Sequence, residues 1–225
     1  TTLVIPAGVD AEPGAFEGIP VEGLRFAKDA SDEEIAALSK AMDIPWYAPL
    51  LREGETSNFR AMPDSLVPNP AEDFTFDANG GTIEEYVGPG GEVVIPREID
   101  GVMVKRIGVS AFVNRGVSEN EDLWDVDRAL TRIVIPETVE YIEDNAFGFD
   151  NRLLRVDCYG PLTRLGIGAF RDCTALIEVY FYNRVKLMDN YAFADCESLT
   201  HVDFSDALEE IGVGAFQNSG LAGMA

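Results

Sequence analysis

The chain has 225 residues, 46% hydrophobic and 25% charged, the balance of a globular protein with room for a sizeable core. Asp+Glu 40 against Lys+Arg 17 gives a formal net charge of −23, a field that repels nucleic-acid phosphates and anionic membrane surfaces and argues against both as partners. No run of 18 apolar residues exists for membrane insertion, and three cysteines do not make a disulfide framework by count.

The opening stretch, TTLVIPAGVD, has neither the charged nor the apolar region of a signal peptide, so the chain reads as cytosolic or as trimmed. Residues 3–16, LVIPAGVDAEPGAF, are a weakened copy of a pattern that recurs later, and residues 1–19 are taken as a degenerate repeat. Residues 20–73 depart from it. Ser31 with Glu34 forms a capping box, Ile35, Leu38 and Met42 share one helical face, and Pro45 ends the helix. The proline-rich loop AMPDSLVPNPAED (61–73) completes a segment read as a helical cap on the repeats or an insertion between two runs of them. In FTFDANGGTIEEYVG (74–88), strand-like runs flank Asn79-Gly80-Gly81, a hairpin signal.

From there to residue 225, repetition governs the chain. Ala-Phe recurs with its phenylalanine at positions 112, 147, 170, 193 and 216, the last three intervals being 23 residues. Leu130, Leu153, Leu176 and Leu199 keep the same step, and each opens a pattern L-x-x-[VI]-x-[ICF]: LTRIVI, LLRVDC, LIEVYF and LTHVDF. Alternation turns the fourth and sixth positions to one face of a short strand. An apolar slot five residues before each phenylalanine holds Ile107, Ile142, Leu165, Met188 and Ile211. One such unit cannot bury its own apolar face, whereas stacked copies bury a continuous one.

The stretches GGEVVIPREIDGVMVKRIGVSAF (90–112) and LTRIVIPETVEYIEDNAF (130–147) resemble the BspA-like family of bacterial leucine-rich repeats, over roughly residues 74–225. The resemblance implies a secreted or surface-exposed bacterial protein used in adhesion or partner binding, with no catalytic residues and no cofactor. The predicted fold is thus a leucine-rich repeat solenoid of the α/β type, with short parallel strands in one curved sheet and a small helical amino-terminal segment. At the far end, LAGMA (221–225) starts another unit and stops, as at a fragment boundary or a surface buried against a neighbour.

Several features test for chemistry. In RLGIGAFRDC (164–173), Gly166 and Gly168 imitate a phosphate loop, but sister repeats place Glu143 and Asp189 at the first position and Asn145 and Tyr191 at the second. That pattern suits a turn. The insertion NRGVSENEDLWDVDRA gathers Glu119, Glu121, Asp122, Asp125 and Asp127, oxygen-rich as calcium prefers but without EF-hand spacing; a solvated acidic loop is the expectation, and no metal site is assigned. His201 shares a strand face with Asp203 and Ser205, in the wrong order for a nucleophilic triad. Cys173 and Cys196 occupy one repeat slot, close enough in adjacent coils to leave a disulfide open, and Cys158 faces the core.

A ligand is therefore expected on the solvent side of the sheet, at the third, fifth and seventh positions of each pattern. The third gives Arg132, Arg155, Glu178 and His201; the fifth gives Val134, Asp157, Tyr180 and Asp203; the seventh gives Pro136, Tyr159, Tyr182 and Ser205. Tyr159, Tyr180 and Tyr182 should cluster beside charges, an arrangement suited to a protein or glycan partner at the cell surface. The expected function is a non-catalytic interaction module; a carbohydrate-binding module, a structural spacer and a hidden glycosidase are the competing readings.

Overall fold

The structure, a computed structural model, describes residues 3–5, 24–27, 30, 61–113, 129–203 and 208–223. The chain divides into two compact units, residues 1–59 and 60–225. In the first, β1 (Leu3–Ile5) pairs in parallel with β2 (Leu24–Phe26), Leu3 opposite Leu24. The helix predicted from Ser31 and the acidic insertion around residues 119–127 fall outside the described residues.

The second unit opens with a hairpin, β3 (Phe74–Asp77) against β4 (Thr82–Tyr86), its turn containing the Asn79-Gly80-Gly81 signal and Gly81 at φ 62°. After β5 (Gly91–Val94) comes a tight hairpin, β6 (Glu98–Ile99) with β7 (Val102–Met103), turning through Asp100 and Gly101 at positive φ. The solenoid then winds through two parallel ladders. One is five-stranded: β5 pairs with β9 (Leu130–Ile135), then β11 (Arg155–Cys158), β13 (Glu178–Phe181) and β15 (His201–Asp203) follow in order. The register is that of the repeat, with Arg132, Arg155, Glu178 and His201 opposite one another in sequence.

The second ladder is seven-stranded: the hairpin strands β3 and β4 lead into the two-residue strands β8 (Arg106–Ile107), β10 (Tyr141–Ile142), β12 (Arg164–Leu165), β14 (Leu187–Met188) and β16 (Glu210–Ile211). It corrects the expectation of a single curved sheet in an α/β solenoid. Among the described residues there is no α-helix, only 3₁₀ turns at Ala71–Asp73 and Gly220–Gly223. The physical reason lies in the turns. Asn145 and Phe149, Gly168 and Asp172, Tyr191 and Asp195, and Gly214 and Asn218 all have φ between 53° and 67°. Two left-handed residues per coil stop a right-handed helix from propagating.

The same geometry accounts for the glycines of RLGIGAFRDC. Ser110, Asn145, Tyr191 and Gly214 adopt the left-handed conformation of Gly168 at its equivalent sites, so that column is a turn in every coil. A Cβ on Gly166 would stand 2.6 Å from the Glu143 carbonyl carbon, so this glycine lets two coils approach.

Between the ladders lies the core. Leu130, Leu153, Leu176 and Leu199 are buried, with Ile133, Val156 and Val179 from the strands and Ile107, Ile142, Leu165 and Met188 from the apolar slot. Phe112, Phe147, Phe170, Phe193 and Phe216 form one continuous stack, with successive ring centroids 4.7, 5.0, 5.1 and 5.5 Å apart. Tyr86 of the hairpin extends the stack at 5.2 Å from Phe112, and β3 is the outer, antiparallel strand of that ladder. At the other end Ile211 departs from its predicted core role and is 55% exposed, because the described residues place no further coil upon it.

Candidate functional site

The outer face of the five-stranded sheet carries the residues singled out from the repeat. The third-position column runs Glu92, Arg132, Arg155, Glu178, His201 across five strands. Asp157, one pleat along, is its hub. It accepts hydrogen bonds from Arg132 Nε at 2.7 Å, Arg155 Nε at 2.8 Å, Arg155 Nη2 at 2.7 Å and Tyr182 Oη at 2.9 Å. Glu92 accepts from Arg132 at 2.7 Å and Glu178 from Arg155 at 3.3 Å, so the charges form one alternating network across the strands.

Burial opposes the charge on Asp157, yet the bonds from Arg155, Arg132 and Tyr182 prevail and hold its carboxyl below the usual carboxylate value. The Arg155 guanidinium is correspondingly raised, first by its hydrogen bond to Asp157. Burial, then the bond to Asp157, pushes the Tyr182 phenol up to about 12.

An aromatic row accompanies the charges. Tyr159 stacks on Tyr182 at 4.5 Å, Tyr182 on Tyr180 at 5.9 Å, and Tyr180 meets the His201 ring at 5.1 Å. Arg155 sits 4.6 Å above the Tyr180 ring. The three tyrosines are therefore brought together as the spacing predicts. Tyr180 and Tyr182 stay half-buried, while His201 and Asp203 are exposed.

Part of the predicted solvent face is nevertheless covered. Asp157 and Val134 are fully buried, and Tyr159 nearly so. Alternation does point these residues away from the core; two guanidinium groups and a phenol then fold over Asp157, and residues 61–70 lie over Val134 and Tyr159. Met62 packs with Val94, Val134 and Tyr159 in a second apolar cluster, with Leu66 and Tyr182 at its margin. Sequence reasoning missed this cover, together with the Arg97–Glu137 ion pair beside it, 2.7 Å between Nε and Oε1. Pro63, Pro68 and Pro70 marked the segment as a proline-rich loop but carried no signal of what it touches. It also missed Leu154 and Ile177, 45% and 42% exposed at the second position of adjacent repeats, a column the alignment could have exposed.

His201 meets the Tyr180 ring, and its predicted strand partner Ser205 lies outside the described residues. Among the described residues no group of three or more metal-ligating side chains converges, and no helix is long and apolar enough to cross a membrane. The three cysteines are free and buried. Cys173 Sγ donates to Phe147 O and Cys196 Sγ to Phe170 O, each at 3.1 Å, so the slot that could have formed a disulfide binds backbone instead. Burial pushes the Cys158 and Cys196 thiols up to about 12, as for thiols in apolar surroundings.

These features define a repeat solenoid whose polar and aromatic surface is a sheet face. Residues 124–224 match the BspA type leucine rich repeat region in six copies. Among solved structures, a leucine-rich repeat protein of T. pallidum is 27% identical with a TM-score of 0.57, covering 67% of each chain. A leucine-rich cell surface protein from Faecalibacterium prausnitzii is 24% identical, TM-score 0.49, over 70% of this chain and 48% of its own. A leucine-rich repeat protein from Bacteroides ovatus is 22% identical, TM-score 0.45, over 62% of this chain and 45% of its own. The chain thus spans about half the length of the latter two. No curated protein sequence matches it.

Proposed function

We propose that this protein is a non-catalytic interaction module of a bacterial surface or secreted protein, binding a macromolecular partner through the uncovered part of the five-stranded sheet. One observation carries the reading: Tyr180, Tyr182 and His201 form a contiguous row beside the exposed Asp203 and the half-exposed Glu178. Rigid aromatic side chains with polar tips supply contact area at low conformational cost, as binding hot spots do. The internal ion pairs hold these rings in place before any partner arrives, which reduces the entropy lost on binding. Four carboxylates (Glu92, Asp157, Glu178, Asp203) face two guanidinium groups, so the patch is net acidic and favours a partner with basic groups. The family resemblance supports placement outside the cell.

The test is parallel screening of the wild-type chain and a Tyr180→Ala/His201→Ala variant on arrays of extracellular proteins and of glycans. Loss of a hot-spot pair weakens capture of a protein partner by about 30-fold. Equal capture by both chains would put the contact elsewhere. Capture on glycans alone would favour a carbohydrate-binding module, and capture on neither a spacer.

A further inference from the structure

Residues 61–70 lie on the sheet face in the manner of a bound peptide. At one end, Glu137 Oε2 accepts from Met62 N at 3.2 Å while Arg97 Nη2 donates to Met62 O at 2.6 Å. The Arg97–Glu137 pair therefore reads the main chain of Met62 on both sides, with Glu137 itself almost wholly buried. Seven residues on, Asn69 N donates to Val94 O at 2.9 Å and Asn69 Oδ1 accepts from Val94 N at 2.9 Å. Asn69 thus completes the outer edge of β5 with one backbone and one side-chain bond, as a neighbouring strand would. Between the two clamps Met62 fills an apolar floor of Val94, Val134 and Tyr159, whereas Asp64, Ser65, Val67 and Pro68 are exposed.

The footprint asks little of its occupant. It reads backbone groups at one residue, an unbranched apolar side chain there, and an asparagine that pairs with an edge strand. Three prolines in the segment reduce the conformational freedom lost on docking. We propose that this footprint is a peptide-binding site, filled in cis by residues 61–70, whose partner is an extended segment of another protein with methionine at the Arg97–Glu137 clamp. The site adjoins the Tyr180–His201 row through Tyr182, and its assignment does not depend on the function proposed for that row. A tethered occupant acts at an effective concentration of about 1 mM, so if its own intrinsic Kd is about 100 µM it weakens any competing peptide about ten-fold.

The experiment uses the full chain, wild type and Met62→Gln/Asn69→Ala, with a fluorescent peptide of sequence AMPDSLVPNP as probe. Both substitutions lie in the seated segment and leave the footprint intact. The expected result is at least ten-fold tighter binding to the variant, lost again when the methionine of the probe is replaced by alanine. Hydrogen exchange of the coils is measured on the same samples. Equal binding to both chains, or no binding to a variant whose coils keep native protection, overturns the proposal. So does loss of that protection, since the segment would then belong to the fold itself; Asn69→Ala alone, the milder release, must bind the probe more tightly than wild type.

Discussion

Replacing Asp157 tests whether the charge network is a built element of the face or a surface ornament. Asp157→Ala removes the acceptor of four hydrogen bonds, three of them from guanidinium groups. Charge-assisted bonds of this kind are worth about 1.5–3 kcal/mol each when nothing replaces them. Here the side chains of Arg132 and Arg155 are 29% and 37% exposed, so freed guanidinium groups turn partly to water. The net cost is accordingly about 2–4 kcal/mol for alanine and about half that for asparagine, which keeps an acceptor without the charge. Followed by far-ultraviolet circular dichroism in urea, this lowers the unfolding midpoint by about 1 M or more for the alanine variant.

Acidification supplies a second reading. Because the folded-state pKa of Asp157 is depressed, the unfolded chain takes up the proton first. The stabilisation from its ionisation is complete above the unfolded carboxylate value of about 3.9 and disappears as pH falls through the lower folded value. The gap between wild type and Asp157→Asn therefore narrows as pH drops through that window. An asparagine variant as stable as wild type at pH 7, with an unchanged acid profile, would refute the argument.

The phenylalanine stack gives a positional test. Phe170→Ala, in the fully buried middle, costs about 3–5 kcal/mol, whereas Phe216→Ala, partly exposed at the end, costs markedly less; equal losses in thermal unfolding would contradict nearest-neighbour stacking. Ser219 holds the slot of Cys173 and Cys196, and its buried hydroxyl has no hydrogen-bond partner. The longer reach of sulfur in Ser219→Cys restores the bond its sister residues make and raises stability by about 0.5–1.5 kcal/mol, read as an upward shift in Tm.

Much of the fold could be read before the structure because each coil states its own instructions. The 23-residue step of Phe170, Phe193 and Phe216, and of Leu153, Leu176 and Leu199, requires stacked coils and fixes which residues face inward. The second ladder was hidden because its strands within the coils are two residues long, too short for alternation to register. Arg106 and Glu143, which pair across it, look in sequence like unrelated surface charges. At the site, the repeat placed Asp157 and Tyr159 on the outer face correctly. Periodicity says which way a side chain points, however, and says nothing of what later folds over it. The cover by Met62 and Asn69 comes from a segment with no repeat at all, and its contacts reach 75 residues along the chain to Glu137.

The two left-handed positions in each coil have a consequence for how such a chain can change length. Among the described residues they are filled by Ser, Asn, Phe, Gly, Asp and Tyr, so the turn is dictated by its neighbours above and below more than by its own residue. A tandem duplication of one coil, residues 153–175, would present Phe170 and Cys173 again at the same height and leave both ladders in register. Loss of a single residue inside that coil would shift every pairing it makes. In the uninterrupted coils, length therefore changes without loss of register in whole turns of 23 residues, whereas the longer step from Phe112 to Phe147 carries its extra residues between the ladder strands.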